Sequence, residues 1–273
     1  MLGGGGVAGI GWELGLLAGL AEAGLDARLG ADLYVGTSAG ATVAAQVTSG
    51  LSLDALIDRF GSPDSAEKPV RYDITARRKF LAEVEDGARD EIDAAARLGR
   101  MALAAVTVPE AERRAIISSR LPVTEWPEVP LRIVAVNARN GKPTVFNRTS
   151  GVSLTDAVAA SCAVPGIWPP VTIGCERYID GGARSHTNAD FAAGCSRVLV
   201  ILPLEPGGRL AAALAAELKG LRTRAKVLLV KMDERGRRAM GSNPLDLSTR
   251  HAMVDAGRAQ ATEAAEEVAR LWN

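Results

Sequence analysis

The sequence is poor in several residue types, and each shortage excludes a class of protein. Aromatic residues occupy 4% of the 273 positions, and histidine occurs only twice. The three cysteines, Cys162, Cys175 and Cys195, are odd in number and fit neither a disulfide framework nor the paired spacing of a zinc ribbon. They are typical of reduced thiols in a cytoplasmic protein.

Net charge and long apolar runs are also missing. Lysine plus arginine and aspartate plus glutamate are equal at 32 each, so the charge balance does not favour nucleic acid as a partner. No charged region followed by an apolar stretch marks a signal peptide, and no window approaches the roughly 20 apolar residues of a membrane span. We therefore expect a cytoplasmic protein whose membrane contact, if any, is peripheral and at the inner face.

Strand-like and helix-like segments alternate along the chain. Two aliphatic runs, Arg197–Leu202 and residues 226–230, are typical of strands buried on both faces of a sheet. Between about residues 51 and 121 the charge rises and glycine thins out, which predicts a helical insertion or cap. We expect one domain over residues 1–273, a three-layer α/β/α sandwich with a mainly parallel central sheet.

Ser38 lies in the sequence Gly-Thr-Ser-Ala-Gly, with Gly36 and Gly40 at its ends. A short apolar run at 32–35 precedes this pentapeptide and a helix-like run at 41–47 follows it, which is the context of a nucleophile elbow. The glycines permit a sharp turn, and the following helix directs its positive N-terminal end at the serine. The pattern predicts a nucleophilic serine at position 38.

Four consecutive glycines, residues 3–6, stand at the start of the sequence. Such a run can direct successive backbone N–H groups at a negative charge. A phosphate-binding loop would need Gly-Lys-Ser/Thr, whereas Val7, Ala8 and Gly9 follow here, and a dinucleotide fingerprint would need a strand in front. An oxyanion loop that complements Ser38 and a flexible N-terminus are the remaining interpretations.

A serine nucleophile needs a general base, and three residues are candidates. His186 lies in a polar stretch and His251 on the terminal helix, so a Ser-His-acid triad stays open. Asp180 is the stronger candidate, because it ends a short strand-like run and precedes Gly181 and Gly182. Active sites of α/β proteins lie at such strand tips. A turn aspartate in an ordinary loop is the alternative interpretation.

Taken together, four blocks resemble the patatin-like phospholipase family of acyl hydrolases, and the resemblance covers nearly the whole chain. The blocks are a glycine-rich loop, the elbow, an Ala-Ser-x-Ala-x-Pro segment and an Asp-Gly-Gly motif. In the same order, these blocks are residues 3–9, residues 36–40, residues 160–165 and residues 180–182. Trp168-Pro169-Pro170 continues the third block. No single block is decisive, so the resemblance depends on their common order and spacing.

The resemblance implies a lipid ester hydrolase that uses a Ser-Asp dyad and needs no catalytic histidine, cofactor or metal. Ser38 would be the nucleophile and Asp180 the general base, while the amides of Gly4, Gly5 and Gly6 would hold the oxyanion. The substrate would be a lipid acyl ester, attacked at its carbonyl carbon to give an acyl-serine that water then hydrolyses.

The sequence departs from the family pattern in two places. Ala8 stands where the family usually has an arginine, which removes a positive charge near the oxyanion. Only Met1 and Leu2 precede the glycine loop, where the family has a full strand. The pattern therefore predicts a start that is truncated or set too late, or a sheet that lacks this strand.

Two alternatives to the dyad enzyme stay open. A conventional esterase would pair Ser38 with His186 or His251. A lipid-binding or protein-binding homologue would keep the fold with an impaired oxyanion loop. Loss of turnover in histidine variants would favour the esterase, and failure of Ser38 to react with a fluorophosphonate would favour the binding protein.

Overall fold

Strands and helices alternate along most of the chain. The computed structural model describes residues 1–62, 67–70, 72 and 74–272. Its strands are β1 (Tyr34–Thr37), β2 (Leu131–Asn137), β3 (Pro143–Phe146), β4 (Val171–Ile173), β5 (Glu176–Asp180), β6 (Arg197–Leu202) and β7 (Lys226–Lys231). Its α-helices are α1 (Gly6–Glu22), α2 (Ala39–Val47), α3 (Leu53–Gly61), α4 (Ile74–Glu85), α5 (Glu91–Ala104), α6 (Glu110–Arg120), α7 (Leu154–Ser161), α8 (Gly208–Arg222), α9 (Glu234–Met240) and α10 (Arg250–Trp272).

The central sheet is parallel from β7 through β6 and β1 to β2, and antiparallel pairs are added at β3, β5 and β4. β1 pairs with β2 in parallel, as β6 does with β7, whereas β3 and β5 run antiparallel to β2, and β4 antiparallel to β5. The two-residue connection between β4 and β5, which contains Gly174 at a φ of +61°, is too short for a parallel crossover. Leu2 bridges Gly36 and Ile201 in parallel, and so links β1 to β6.

Side chains of the long strands alternate between two helical layers. Ile133 and Ala135 of β2, with Leu199 and Ile201 of β6, contribute to a core shared with α1, α2, α7 and α10. Val136 of β2 packs with α5 instead, and Val198 and Val200 of β6 pack with α8. Because strand side chains alternate between faces, this division puts one helical layer on each side of the sheet. The three-layer α/β/α class is therefore confirmed.

Helices α3 to α6 occupy the segment predicted as an insertion. Residues 63–66, 71 and 73 of that segment lie outside the described residues. α4 and α5 are separate helices, because Gly87 between them adopts a φ of +67° and Asp90 caps α5 by accepting the amide of Asp93 at 2.8 Å. Since α5 packs on the sheet, only part of the segment covers the candidate site.

A local capping signal sets the start of α7. Ser153 caps α7 by accepting the amide of Asp156 at 3.1 Å, and its hydroxyl donates to the Asp156 carboxylate at 2.6 Å. β6 is buried almost throughout, as predicted. β7 is only half-buried, because it pairs with β6 on one side and forms the edge of the sheet.

Candidate active site

Ser38 lies in the sharp turn between β1 and α2. Its φ of 55° and ψ of −116° are strained for a residue with a side chain, as a nucleophile elbow requires. A Cβ on Gly36 would approach the Cα of Ala41 to 2.5 Å, and one on Gly40 would approach the carbonyl oxygen of Leu2 to 2.0 Å. Both glycines are therefore required by close backbone approaches around the turn.

The C-terminal end of α7 holds the backbone of Ser38 on two sides. The Ser38 amide donates to the hydroxyl of Ser161 at 2.9 Å, and that hydroxyl donates to the carbonyl of Val134 at 2.6 Å. The thiol of Cys162 donates to the Ser38 carbonyl at 3.1 Å. The sequence block at 160–165 thus supports the elbow, a role that its composition did not reveal.

Asp180 ends β5 and is buried in the same pocket as Ser38. Its Oδ1 accepts the amide of Gly182 at 2.7 Å, while its buried Oδ2 has no hydrogen-bond partner in the described part of the chain. The Ser38 side chain is close enough to act on Asp180 as a hydrogen-bond donor, but the contact falls outside normal hydrogen-bond geometry. The two groups are therefore neighbours in one pocket.

Burial is the main electrostatic influence on Asp180. It raises the pKa of the carboxyl from 3.8 to about 6, while hydrogen bonding from Ser38 and Gly182 and the charge of Arg77 act in the opposite direction. A carboxylate with this pKa is a better proton acceptor than an ordinary aspartate and is still mostly ionised at neutral pH. The site therefore contains a buried carboxyl next to a strained serine.

The glycine loop faces the same pocket and leads into α1. The Gly4 amide donates to the carbonyl of His186 at 2.8 Å, so this N–H already has an acceptor. The amides of Gly5 and Gly6 have none among the described residues, and they stand at the positive N-terminal end of α1. Of the three amides predicted to hold an oxyanion, two are free to do so.

Hydrogen bonds of the Gly3 amide hold the start of the glycine loop in place. This amide is shared between the carbonyl of Ile201 at 3.0 Å and Oε1 of Glu13 at 2.9 Å. Glu13 is fully buried in α1, and burial raises the pKa of its carboxyl well above the usual value. This buried acceptor, which the sequence analysis missed, fixes the start of the glycine loop against the helix.

Asn188 ties the elbow strand to the Asp-Gly-Gly loop. It adopts a left-handed conformation with a φ of 48°, which asparagine tolerates better than most residues. Its side-chain amide lies 3.0 Å from the hydroxyl of Thr37, 3.2 Å from the carbonyl of Gly181 and 2.8 Å from that of Ser185. No local sequence signal marks this role, because the three acceptors belong to residues 37, 181 and 185 and meet Asn188 only in the folded chain.

The two histidines differ in position. Nδ1 of His186 lies 2.8 Å from the carbonyl of Leu204, and burial lowers the pKa of the ring, so it is neutral at physiological pH. His186 lines the pocket, but neither histidine makes a hydrogen bond to Ser38 or Asp180 in the described structure. His251 lies against Gly61 on an exposed part of α10.

The remaining pocket wall is mostly apolar. Leu98, Val164, Leu204 and Leu245 line it together with Leu81 of α4. The same helix contributes Arg77, whose guanidinium donates to the carbonyl of Pro165. Such a wall suits an acyl chain, and α4 brings a positive charge to the side of the pocket.

The fold and the elbow define an α/β protein built around a strand–serine–helix turn. The model of the patatin-like phospholipase family matches residues 1–193. The chain therefore belongs to that family, which confirms the resemblance recognised in the sequence. Members of the family are lipid acyl hydrolases, which supports a hydrolase with a lipid substrate.

The chain also resembles solved structures. The chain is similar to the crystal structure of the type III effector protein ExoU, with 16% sequence identity and a TM-score of 0.42. The similarity covers 97% of this chain and 52% of that one, so the chain spans about half the length of the effector. No curated protein matches. No helix within the described residues is both long and apolar enough to cross a bilayer.

Proposed function

We propose that the protein is a serine acyl hydrolase that cleaves carboxylic esters of lipids through a Ser38–Asp180 dyad. The observation that carries this proposal is the buried carboxyl of Asp180, which has an unpartnered Oδ2 and a pKa of about 6 beside the strained Ser38. A partnerless buried carboxylate is costly and is therefore expected where it accepts a proton during a reaction.

In the acylation step, Asp180 removes the proton of the Ser38 hydroxyl as its oxygen attacks the ester carbonyl carbon. The carbonyl electron pair moves to oxygen, and the resulting oxyanion collapses to expel the alcohol. That alcohol leaves with the proton held by Asp180. Deacylation repeats the sequence with water as the nucleophile, which releases the fatty acid and returns the proton to Ser38.

We assign the oxyanion hole to the amides of Gly5 and Gly6, with the Ala39 amide at the start of α2 as a third donor. None of these three N–H groups has an acceptor among the described residues. The Gly4 amide is engaged with His186, so its role is to hold the loop in place. An oxyanion donor typically contributes ~3 kcal/mol to transition-state stabilisation.

We treat the whole chain as one catalytic domain in which α4 and α5 of the helical segment contribute to the pocket wall. Leu81 and Arg77 of α4 line the pocket, so this part of the insertion contacts the substrate. The acyl chain lies against the apolar wall, and peripheral contact with a membrane delivers the lipid. A cytoplasmic location and the absence of a cofactor complete the proposal.

A Ser-His-acid esterase is the second candidate, because His186 lines the pocket. Its Nδ1 is engaged with the carbonyl of Leu204, where a triad would place a carboxylate. His186→Ala distinguishes the two: the dyad retains turnover in this variant, and the triad loses it. A non-enzymatic lipid-binding protein would leave Ser38 unreactive towards a fluorophosphonate.

The decisive experiment measures hydrolysis of a series of acyl esters by wild type, Ser38→Ala and Asp180→Asn. We expect each variant to lose at least about a thousandfold in kcat/KM. Ser153→Ala and Asp233→Asn are matched controls, since both residues cap helices and neither lines the pocket. Near-wild-type rates in both dyad variants would overturn the proposal.

A further inference from the structure

The pocket around Ser38 and Asp180 has one unusual charged group, Arg77 of α4. Among the described residues that line this pocket, it is the only arginine or lysine, and the ring of His186 is neutral. Two acidic residues also line the pocket: Glu85, which forms an ion pair with Arg209 at 2.7 Å, and Asp180, which is near enough to influence Arg77 but forms no ion pair with it. Arg77 therefore supplies the positive charge of the described pocket wall.

The guanidinium of Arg77 is only partly satisfied by the protein. It donates to the carbonyl of Pro165 and interacts with the hydroxyl of Tyr72, but its buried Nε has no hydrogen-bond partner among the described residues. No described carboxylate lies within ion-pair distance, although Asp180 is near enough to influence its pKa. A half-buried arginine of this kind has unused capacity for an anion.

Arg77 is positioned to bind an anion close to the ester that Ser38 would attack. Gly4, Ser38 and Asp180 line the same pocket as Arg77, so an anion bound by the guanidinium lies close to an ester carbonyl attacked by Ser38. Apolar residues surround the rest of the pocket. A planar guanidinium is well suited to phosphate oxygens, and a phosphate is separated from the acyl ester by only a few bonds in a glycerophospholipid.

We propose, on the basis of the function proposed above, that Arg77 is a substrate-binding residue that selects lipid esters carrying an anionic phosphate group near the scissile ester. It supplies from α4 the positive charge that Ala8 does not provide in the glycine loop. Its counter-ion is the substrate, which explains why the protein leaves Nε without a partner.

Substrates that differ only in the phosphate test the proposal. They are a 1-acyl lysophosphatidic acid and the 1-acylglycerol with the same acyl chain, each compared by kcat/KM in wild type, Arg77→Gln and Arg77→Lys. We expect wild type to prefer the phosphate-bearing lipid, and Arg77→Gln to lower that preference by about ten- to a hundredfold. Arg77→Lys should restore part of it, because a lysine retains the charge without the planar fork.

Arg78 is the matched control. It is the next residue of α4, is exposed, donates to the carbonyl of Glu205 at 2.7 Å, and does not line the pocket. Arg78→Gln removes the same charge from the same helix and should leave the preference unchanged. Equal losses on both lipids in Arg77→Gln, or a wild type without preference, would overturn the proposal.

Equilibrium binding separates this inference from the proposed function. The Ser38→Ala variant and the Ser38→Ala/Arg77→Gln variant are titrated calorimetrically with the lysophosphatidic acid, the acylglycerol and inorganic phosphate. If the double variant binds the lysophosphatidic acid more weakly and the acylglycerol equally well, the role of Arg77 is supported. This result holds even if wild type hydrolyses neither lipid, and in that case only the proposed function fails. Equal affinity of the two variants for the lysophosphatidic acid refutes the role of Arg77 in substrate binding. Tight binding of inorganic phosphate identifies a site for free phosphate instead.

Discussion

The backbone amide of Ser38 donates a 2.9 Å hydrogen bond to the hydroxyl of Ser161, a residue 123 positions away in sequence. The same hydroxyl donates to Val134 in the strand beside the elbow. One small side chain thus connects the strained turn, the central strand and the end of α7. The elbow keeps its positive φ because this contact satisfies the buried amide that the turn exposes.

Ser161→Ala should therefore lower both stability and turnover. Two buried polar groups lose their partner, which costs about 1–3 kcal/mol in the free energy of unfolding, and the nucleophile is held less firmly. Ser153→Ala is the control, because it removes a cap at the other end of α7 and costs about 1 kcal/mol without contacting Ser38. Equal kcat values in the two variants, measured on acyl esters, would refute a positioning role for Ser161.

The fall of activity at acid pH should follow the protonation of the Asp180 carboxyl. The base acts in its ionised form, so kcat/KM rises with pH through an apparent pKa of about 6, as burial of the carboxyl requires. Arg77 lowers this pKa, so Arg77→Gln should move the fall of activity to higher pH. Initial rates over about pH 4 to 9 measure both positions. A fall of activity close to the ordinary aspartate pKa would show that the base is not buried in the working enzyme.

The free energy of unfolding should fall with rising pH over the range in which the Asp180 carboxyl ionises, whereas activity rises. The folded-state pKa of about 6 lies above the ordinary 3.8, so the stabilisation from this group is present below about pH 4 and lost as pH rises through 6. Asp180→Asn should therefore match wild type in acid and exceed it at neutral pH, by up to about 3 kcal/mol. Urea unfolding at several pH values gives the difference.

Asp246→Asn is the control of opposite sign for that measurement. Hydrogen bonds from Ser248 lower the pKa of Asp246, so its contribution to stability is lost as pH falls rather than as it rises. If Asp180→Asn and Asp246→Asn show the same pH trend in stability relative to wild type, burial of Asp180 is not the cause of its stability difference.

Gly40→Ala tests the close approach between the elbow and Leu2. The new Cβ would lie 2.0 Å from the carbonyl oxygen of Leu2, so the backbone that links β1 to the glycine loop must move. We expect a loss of at least about 2 kcal/mol in unfolding free energy, together with loss of activity. Gly220→Ala, in α8 with no atom within 4 Å of the new Cβ, should instead stabilise by about 0.5–1 kcal/mol. A thermal melt that ranks the two variants in the reverse order would contradict this account.

Local sequence determined a large part of this protein. The order of strands and helices, the elbow at Ser38 and the cap at Ser153 follow from glycine conformation, apolar periodicity and side-chain caps, all of which act over a few residues. The ordered motifs identified the family and nominated Asp180 as well as Ser38. The element order and the elbow could be predicted because they depend on neighbours in the chain, whereas the catalytic roles of Ser38 and Asp180 stay predictions.

Tertiary structure alone decided which groups meet. It engaged the Gly4 amide with His186, brought Ser161 to the amide of Ser38, and placed Arg77 of a helical insertion in the pocket wall. It also set the antiparallel pairings that make the sheet mixed. These contacts join residues far apart in sequence, and they depend on packing and on satisfying buried polar groups across the whole core. No local pattern contains that information.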